Sequence, residues 1–197
     1  VAPDRVFHSV DDRHREIGRA GQVRVDGKPF RQVFALDEVE TGTFFADTEA
    51  QKLYVGLAAG KEARDHEIEA GTRGYVFGIH PWRRPEGVDH IHLRGLTIRY
   101  ASNHAQRGAL SVVGRHWVVE DVLIEETNGA GWSFRGEGHT FRRIVSRRNG
   151  QLGGRGEGRD FLMEGCRFLE NNTKGYSPGW EAGGIKISDS RNARILG

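Results

Sequence analysis

Thr140-Phe141-Arg142-Arg143-Ile144-Val145-Ser146 is followed, 22 residues on, by Leu162-Met163-Glu164-Gly165-Cys166-Arg167-Phe168. Both stretches put an apolar residue at every second position of a short run, break once, and start a second run, which is the strand period written twice. Working outward, Ile91–Ile98 and Trp117–Ile124 carry the same pattern before them, and Ala193–Gly197 begins it again. The marker positions Leu93, Val119, Phe141, Met163 and Ile195 are spaced by 26, 22, 22 and 32 residues. Two steps are equal; the other two read as the same unit with four and ten residues inserted.

Within each unit the two short strands lead to a turn bearing Asn (Asn103, Asn128, Asn149, and Asn171 or Asn172), and a further strand follows: Ala109–Val112, Trp132–Phe134, the Gly153–Gly158 stretch and Ile185–Ile187. No unit holds a helical period. A repeat of about 22 residues built of strands and Gly/Asn turns predicts the coils of a parallel β-helix, stacked at about 4.8 Å, each burying the apolar face its neighbour cannot bury alone. Leu93, Val119, Phe141, Met163 and Ile195 should then form one inward column. Glu67–Ala70 and Tyr75–Ile79 read as further strands of the first coil, so the solenoid is expected over 65–197. Residues 1–64 lack the repeat. Asp26-Gly27 between Val23–Val25 and Lys28–Phe30 is a hairpin signal, and a small β-rich subdomain is expected there, capping the open end of the solenoid against edge pairing.

Composition narrows the function classes. The chain has 197 residues, 28 of them Gly and five Pro, with no Gly-X-Y period, so collagen is excluded. No apolar run approaches the ~20 residues of a membrane helix, and Val1-Ala2-Pro3-Asp4-Arg5 shows no signal peptide. The net charge is +2, with acids interleaved among the arginines. That is a mixed surface, not a polycation for nucleic acid. The single Cys166 excludes an internal disulfide and a thiolate metal cage. The chain reads as a piece of something longer, whose last coil, Ile195-Leu196-Gly197, is expected to self-associate through its open edge.

Several repeated residues have structural readings. The Asn column should form a hydrogen-bonded ladder at left-handed turns. Cys166, at the place of Leu96, Val122 and Ile144, reads as core. His90, His116 and His139 fall at nearly equal places, as stacked turn residues or a metal column. The run Gly150–Gly158 lacks a Gly-Lys-[Ser/Thr] ending, and so marks a wall where backbone approaches either a neighbour or a ligand.

The runs Gly42-Thr43-Phe44-Phe45-Ala46-Asp47 and Lys52-Leu53-Tyr54-Val55, with the block Asn171–Lys186, resemble the bacterial right-handed parallel β-helix repeat proteins of the pectate-lyase-like superfamily. That resemblance implies a secreted or periplasmic right-handed β-helix acting on extracellular polysaccharide as a lyase or glycoside hydrolase. The alternative is a non-catalytic carbohydrate-binding or adhesin-type β-helix. Ca²⁺ enters only through the resemblance, and the sequence itself points to no cofactor.

The ten-residue insertion is the natural place for a site, because insertions in a solenoid gather on one face. It carries Tyr176, Trp180 and Glu181 and returns into the strand of Lys186. The expected sugar contacts are Tyr176 and Trp180 as flat platforms, with Glu157 and Asp160. The expected catalytic residues are Glu181, Lys186, Arg155 and His104, the last from the smaller insertion Asn103–Arg107. A lyase would pair Arg or Lys with a uronate carboxylate and use Lys, Arg or His as base. A glycosidase would need two carboxyls about 5–9.5 Å apart, for which Glu181 with Glu157 or Asp160 are the candidates. No metal ligands are assigned.

Overall fold

The computed structural model describes residues 19–80, 83–177 and 182–197. The chain divides into two compact units between Arg73 and Gly74.

In the first unit, β1 (Val23–Val25), β2 (Lys28–Gln32), β3 (Thr43–Asp47), β4 (Lys52–Val55) and β5 (Ile68–Ala70) form a sheet in the order β4-β3-β2-β1-β5. The Asp26-Gly27 hairpin joins β1 to β2 with Val25 opposite Lys28, and both turn residues have positive φ (50° and 73°), as a two-residue hairpin requires. Ile68–Ala70, expected in the first coil, instead pairs antiparallel with β1 and closes this sheet. Its alternation is the same in either place, so only the partner decides.

The second unit begins with β6 (Phe77–Gly78), which pairs parallel with the third strand of the first coil, as expected for Tyr75–Ile79. Four coils follow: β7 (His92–Arg94), β8 (Thr97–Arg99) and β9 (Gly108–Arg115); β10 (Val118–Glu120), β11 (Leu123–Glu125) and β12 (Ala130–Glu137); β13 (Thr140–Arg142), β14 (Val145–Arg147) and β15 (Leu152–Arg159); β16 (Leu162–Glu164), β17 (Arg167–Leu169) and β18 (Gly183–Ile187). β19 (Arg194–Leu196) opens a fifth. First, second and third strands stack into three parallel sheets. Leu93, Val119, Phe141, Met163 and Ile195 are register partners in turn. The first four are buried and Ile195, at the last coil, is exposed. The column is the one the 22-residue spacing predicts.

Inside, Trp132, Phe134, Phe141 and Phe161 pack ring against ring, with centroids 4.6–4.9 Å apart. This accounts for the glycines of β15. A Cβ at Gly156 would stand 2.0 Å from the Phe134 ring, and one at Gly154 2.7 Å from Nε1 of Trp132. The thin wall makes room for aromatic rings inside the solenoid.

Each coil turns at three corners, each held by one left-handed residue: Gly95, Asp121, Arg143 and Gly165; Tyr100, Glu126, Arg148 and Glu170; His90, His116, Gly138, Asp160 and Asn192. Of the expected column, Asn103, Asn128, Asn149 and Asn171 are not those residues; Asn172 does have a left-handed φ of 69°, but it lies inside the second insertion and not at the corner. Arg148 and Glu170 turn the chain, and Asn149 and Asn171 follow them. Asn149 donates from Nδ2 to Oδ1 of Asn171 (2.9 Å), and its Oδ1 accepts from the hydroxyl of Thr127 (2.9 Å). The ladder exists, but Thr127 takes the rung expected of Asn128. Asn103 instead pins the first insertion, donating to the carbonyl of Ala130 (2.7 Å).

The rings of His90 and His116 stack at 5.1 Å, and Gly138 continues the column because a Cβ there would strike the His116 ring at 2.4 Å. His139, one place on, is buried beneath the third sheet. Its Nδ1 accepts from the Trp117 backbone N–H (3.3 Å) and its Nε2 donates to the Arg135 carbonyl (3.2 Å). Burial lowers its pKa, and the two bonds hold the neutral ring.

Candidate functional site

Both insertions open at the corner between the second and third strands. Tyr100 and Gly108 bracket the first, and Glu170 and Gly183 the second, where the intervening coils cross directly from Glu126 to Ala130 and from Arg148 to Leu152. Both lead into the third sheet, whose period of two turns alternate residues outward. The outward columns are Ser111, Ser133, Arg155 and Lys186, then Val113, Arg135 and Glu157, then Arg115, Glu137 and Arg159.

A pocket lies over the first two columns, walled by Tyr75, Gln106 and Arg107. The first insertion is stiffened for this role. The backbone N–H of Gln106, a residue with φ 64°, donates to Oε1 of Gln151 (2.6 Å), and the N–H of Arg107 donates to the His104 carbonyl (3.1 Å). Nη1 of Arg107 donates to the hydroxyl of Tyr75 (3.0 Å) and faces Nε2 of His80 (3.2 Å). A guanidinium offers only donors, so Nε2 accepts and the proton of the neutral imidazole sits on Nδ1. Burial, then the charges of Arg107 and Arg83, keep His80 below its ordinary pKa. Arg155 reaches across from β15, donating from Nη1 to the carbonyl and side-chain oxygens of Gln106 (3.3 and 3.5 Å). Arg135 and Glu157 form an ion pair on the pocket floor.

The pocket opens along the strands into a trough of about 910 Å³ that shares Arg135 and Glu157 with it. There Arg115 holds Asp89 (2.8 Å) and Arg159 holds Glu137 (3.1 Å). The hydrogen bond from Arg115 keeps Asp89 well below the usual carboxylate range.

Of the expected site residues, Lys186 is exposed and outward on β18, register partner of Arg155. Arg155 and Glu157 line the pocket. Asp160 does not: it is a corner residue with φ 53° that accepts a bond from Asn192 (2.9 Å). Tyr176 is buried at 2% exposure, its backbone N–H bonded to Asn172 Oδ1 (2.8 Å), and desolvation pushes its phenol upward. Its ring packs and offers no sugar platform. His104 gives its carbonyl to the insertion, while the neighbours that face the pocket are Gln106 and Arg107. Trp180 and Glu181 lie outside the described residues. Tyr75, His80, Arg107 and Arg135 were not expected. The available signal was Arg107 in the four-residue insertion, and Arg135 placed 22 residues before Glu157.

Cys166 is half-buried against the core, where desolvation raises its pKa, so it is a packing residue and not a nucleophile. Among the described residues no group of three or more His, Cys, Asp or Glu is placed to hold a metal ion.

No protein family matches the chain by sequence, and no curated protein matches it. In fold it is similar to the structure of XylC solved in complex with xylose, with a TM-score of 0.63 and 14% identity. The likeness covers 90% of this chain and 39% of that one. At that identity it establishes the parallel β-helix, and the chain spans well under half the length of XylC.

Proposed function

We propose that the pocket on the third sheet binds a carboxylated sugar, and that the chain belongs to a carbohydrate-active β-helix protein acting by elimination. The observation that carries this reading is Arg107, set between the Tyr75 hydroxyl and the His80 ring on the same face as Arg155 and Lys186. A guanidinium pairs with a planar carboxylate in two parallel bonds. Neutralising a uronate carboxylate in this way acidifies the carbon-bound proton beside it. A base from the Arg155–Lys186 column takes that proton, a carbon–carbon double bond forms, and the glycosidic C–O bond at the next carbon breaks. The departing oxygen collects a proton from Tyr75, whose oxygen accepts from Arg107 and whose own hydrogen is therefore turned away from it. The pocket's carboxylate, Glu157, is held by Arg135, so the described lining suits elimination better than the two-carboxyl chemistry of hydrolysis. XylC was solved with xylose, which makes sugars the first ligands to test.

The experiment is a panel of acidic and neutral polysaccharides, read for unsaturated ends and for reducing ends. Unsaturated product that disappears in Tyr75→Phe, while binding persists, supports the reading. New reducing ends without unsaturation would replace elimination by hydrolysis. Binding without product in any condition would make the protein the non-catalytic carbohydrate binder.

A further inference from the structure

We infer that the ligand carries its negative charge on a single ring, at or next to one end, and continues as uncharged rings. The inference rests on the carbohydrate reading above and concerns how charge is laid out along the site.

In the pocket, Nη1 of Arg107 is engaged by two neutral acceptors, the Tyr75 hydroxyl and His80 Nε2. Among the described residues no carboxylate pairs with this half-buried guanidinium, so its charge is left for a ligand. Along the strands the balance reverses. Every arginine of the trough is already matched to an acid of the same surface: Arg135 to Glu157, Arg159 to Glu137, and Arg115 to Asp89. Glu86, on the rim, has Arg84 beside it (3.3 Å). Asp189 also lines the trough and has no ion-pair partner among the described residues.

Two to four residues along a strand is a distance of about 7–13 Å. That is comparable with the Debye length of about 8 Å at physiological salt. The two ends of the cleft therefore present separate fields, cationic at Arg107 and neutral to anionic in the trough. A chain of uronates seated on Arg107 would bring its following carboxylates to arginines already occupied and to an uncompensated Asp189. A chain with one acidic ring followed by neutral rings meets both fields favourably.

The test is calorimetric titration of the whole chain with three probes: tetragalacturonate, neutral xylotetraose, and a xylo-oligosaccharide bearing one glucuronate. The singly acidic probe should bind at least about tenfold more tightly than either other. Arg107→Gln should bring it down to the neutral probe's affinity, and Arg107→Lys should restore part of the difference. Asp189→Asn should tighten tetragalacturonate alone. Tetragalacturonate binding as tightly as the singly acidic probe overturns the inference and leaves the carbohydrate reading standing. So does equal binding of the neutral probe. Failure of all three to bind overturns the carbohydrate reading itself, and this inference with it.

Discussion

The outer faces of the first two sheets and the outer face of the third dispose of charge differently. On the first two, acid and arginine stand one coil apart: Arg143 meets Asp121 (2.6 Å), Arg142 meets Glu164 (2.9 Å), and Arg147 and Arg148 meet Glu125 (2.9 and 3.0 Å). The pairs link coil to coil, so these arginines are consumed in bridging repeats. On the third face the same ladder begins with Arg135–Glu157 and Glu137–Arg159, and it stops where the first insertion brings in Arg107. Closed ladders decorate a surface, and the place where a ladder is left open is where a solenoid is available to a ligand.

The largest change would come from removing what both faces share. Phe141 is fully buried against Trp132 and Phe134. Phe141→Ala should cost about 3–5 kcal/mol. Phe141→Asp, with an uncompensated charge in that place, should abolish the cooperative thermal transition. A Phe141→Asp variant that melts cooperatively near the wild type would show that the faces do not depend on one core.

Smaller is the effect at the corner that joins the ladder-bearing second sheet to the third. Asn149→Ala strips Thr127 and Asn171 of their partner inside a buried turn. Leaving such groups unsatisfied costs about 1–3 kcal/mol, measurable by denaturant midpoint at unchanged m-value. An unchanged midpoint would show that water replaces the amide.

His139 offers a pH test beneath the third face, because its ring supports the Arg135 backbone. Its folded pKa lies below the ordinary 6.5, so between the two values the unfolded chain binds the proton and the native chain does not. Stability therefore rises with pH through that window and is lost as pH falls below about 6.5. Its burial sets the direction, with His116 and Asp89 as the charges that reach it. His139→Gln should flatten the slope of melting temperature against pH between about pH 7 and 5. A slope unaltered by the substitution would assign it to other groups.

The smallest effects on stability sharpen the comparison most. Arg143→Gln on a closed ladder removes an exposed ion pair and should leave the melting temperature nearly unchanged, while Arg107→Gln at the open place gives up the bonds of a half-buried guanidinium to Tyr75 and His80 and should cost only about 0.5–1.5 kcal/mol. Only Arg107→Gln should weaken binding of an acidic oligosaccharide. If Arg143→Gln weakens it equally, the charge of the whole surface governs binding and the open rung has no special place.

Periodicity was enough to read the solenoid, its inward column and the common corner of its insertions. Burial of one face in every strand specifies register by a period of two, and a fixed repeat length carries that register from coil to coil. The alternation of Ile185, Lys186 and Ile187 likewise marks Lys186 as outward, while its place beside Arg155 comes from the register of β15 and β18. It could not place Ile68–Ala70, whose alternation suits either sheet, nor tell Asn128 from Thr127 at a rung, since a one-residue offset within a turn leaves no mark on the hydrophobic pattern. Tyr176 shows the limit for function. An aromatic residue in a long insertion suits a sugar platform and a plug equally, and packing of the loop made it a plug. Arg107 lies 27 residues from His80 and 32 from Tyr75 along the chain, and the three share no repeat position. Stacked strands and a stiffened turn bring them within hydrogen-bonding distance. The repeating part of this protein is local in its causes and was legible in the sequence. The site is formed where non-repeating residues meet, and only tertiary contact decides that.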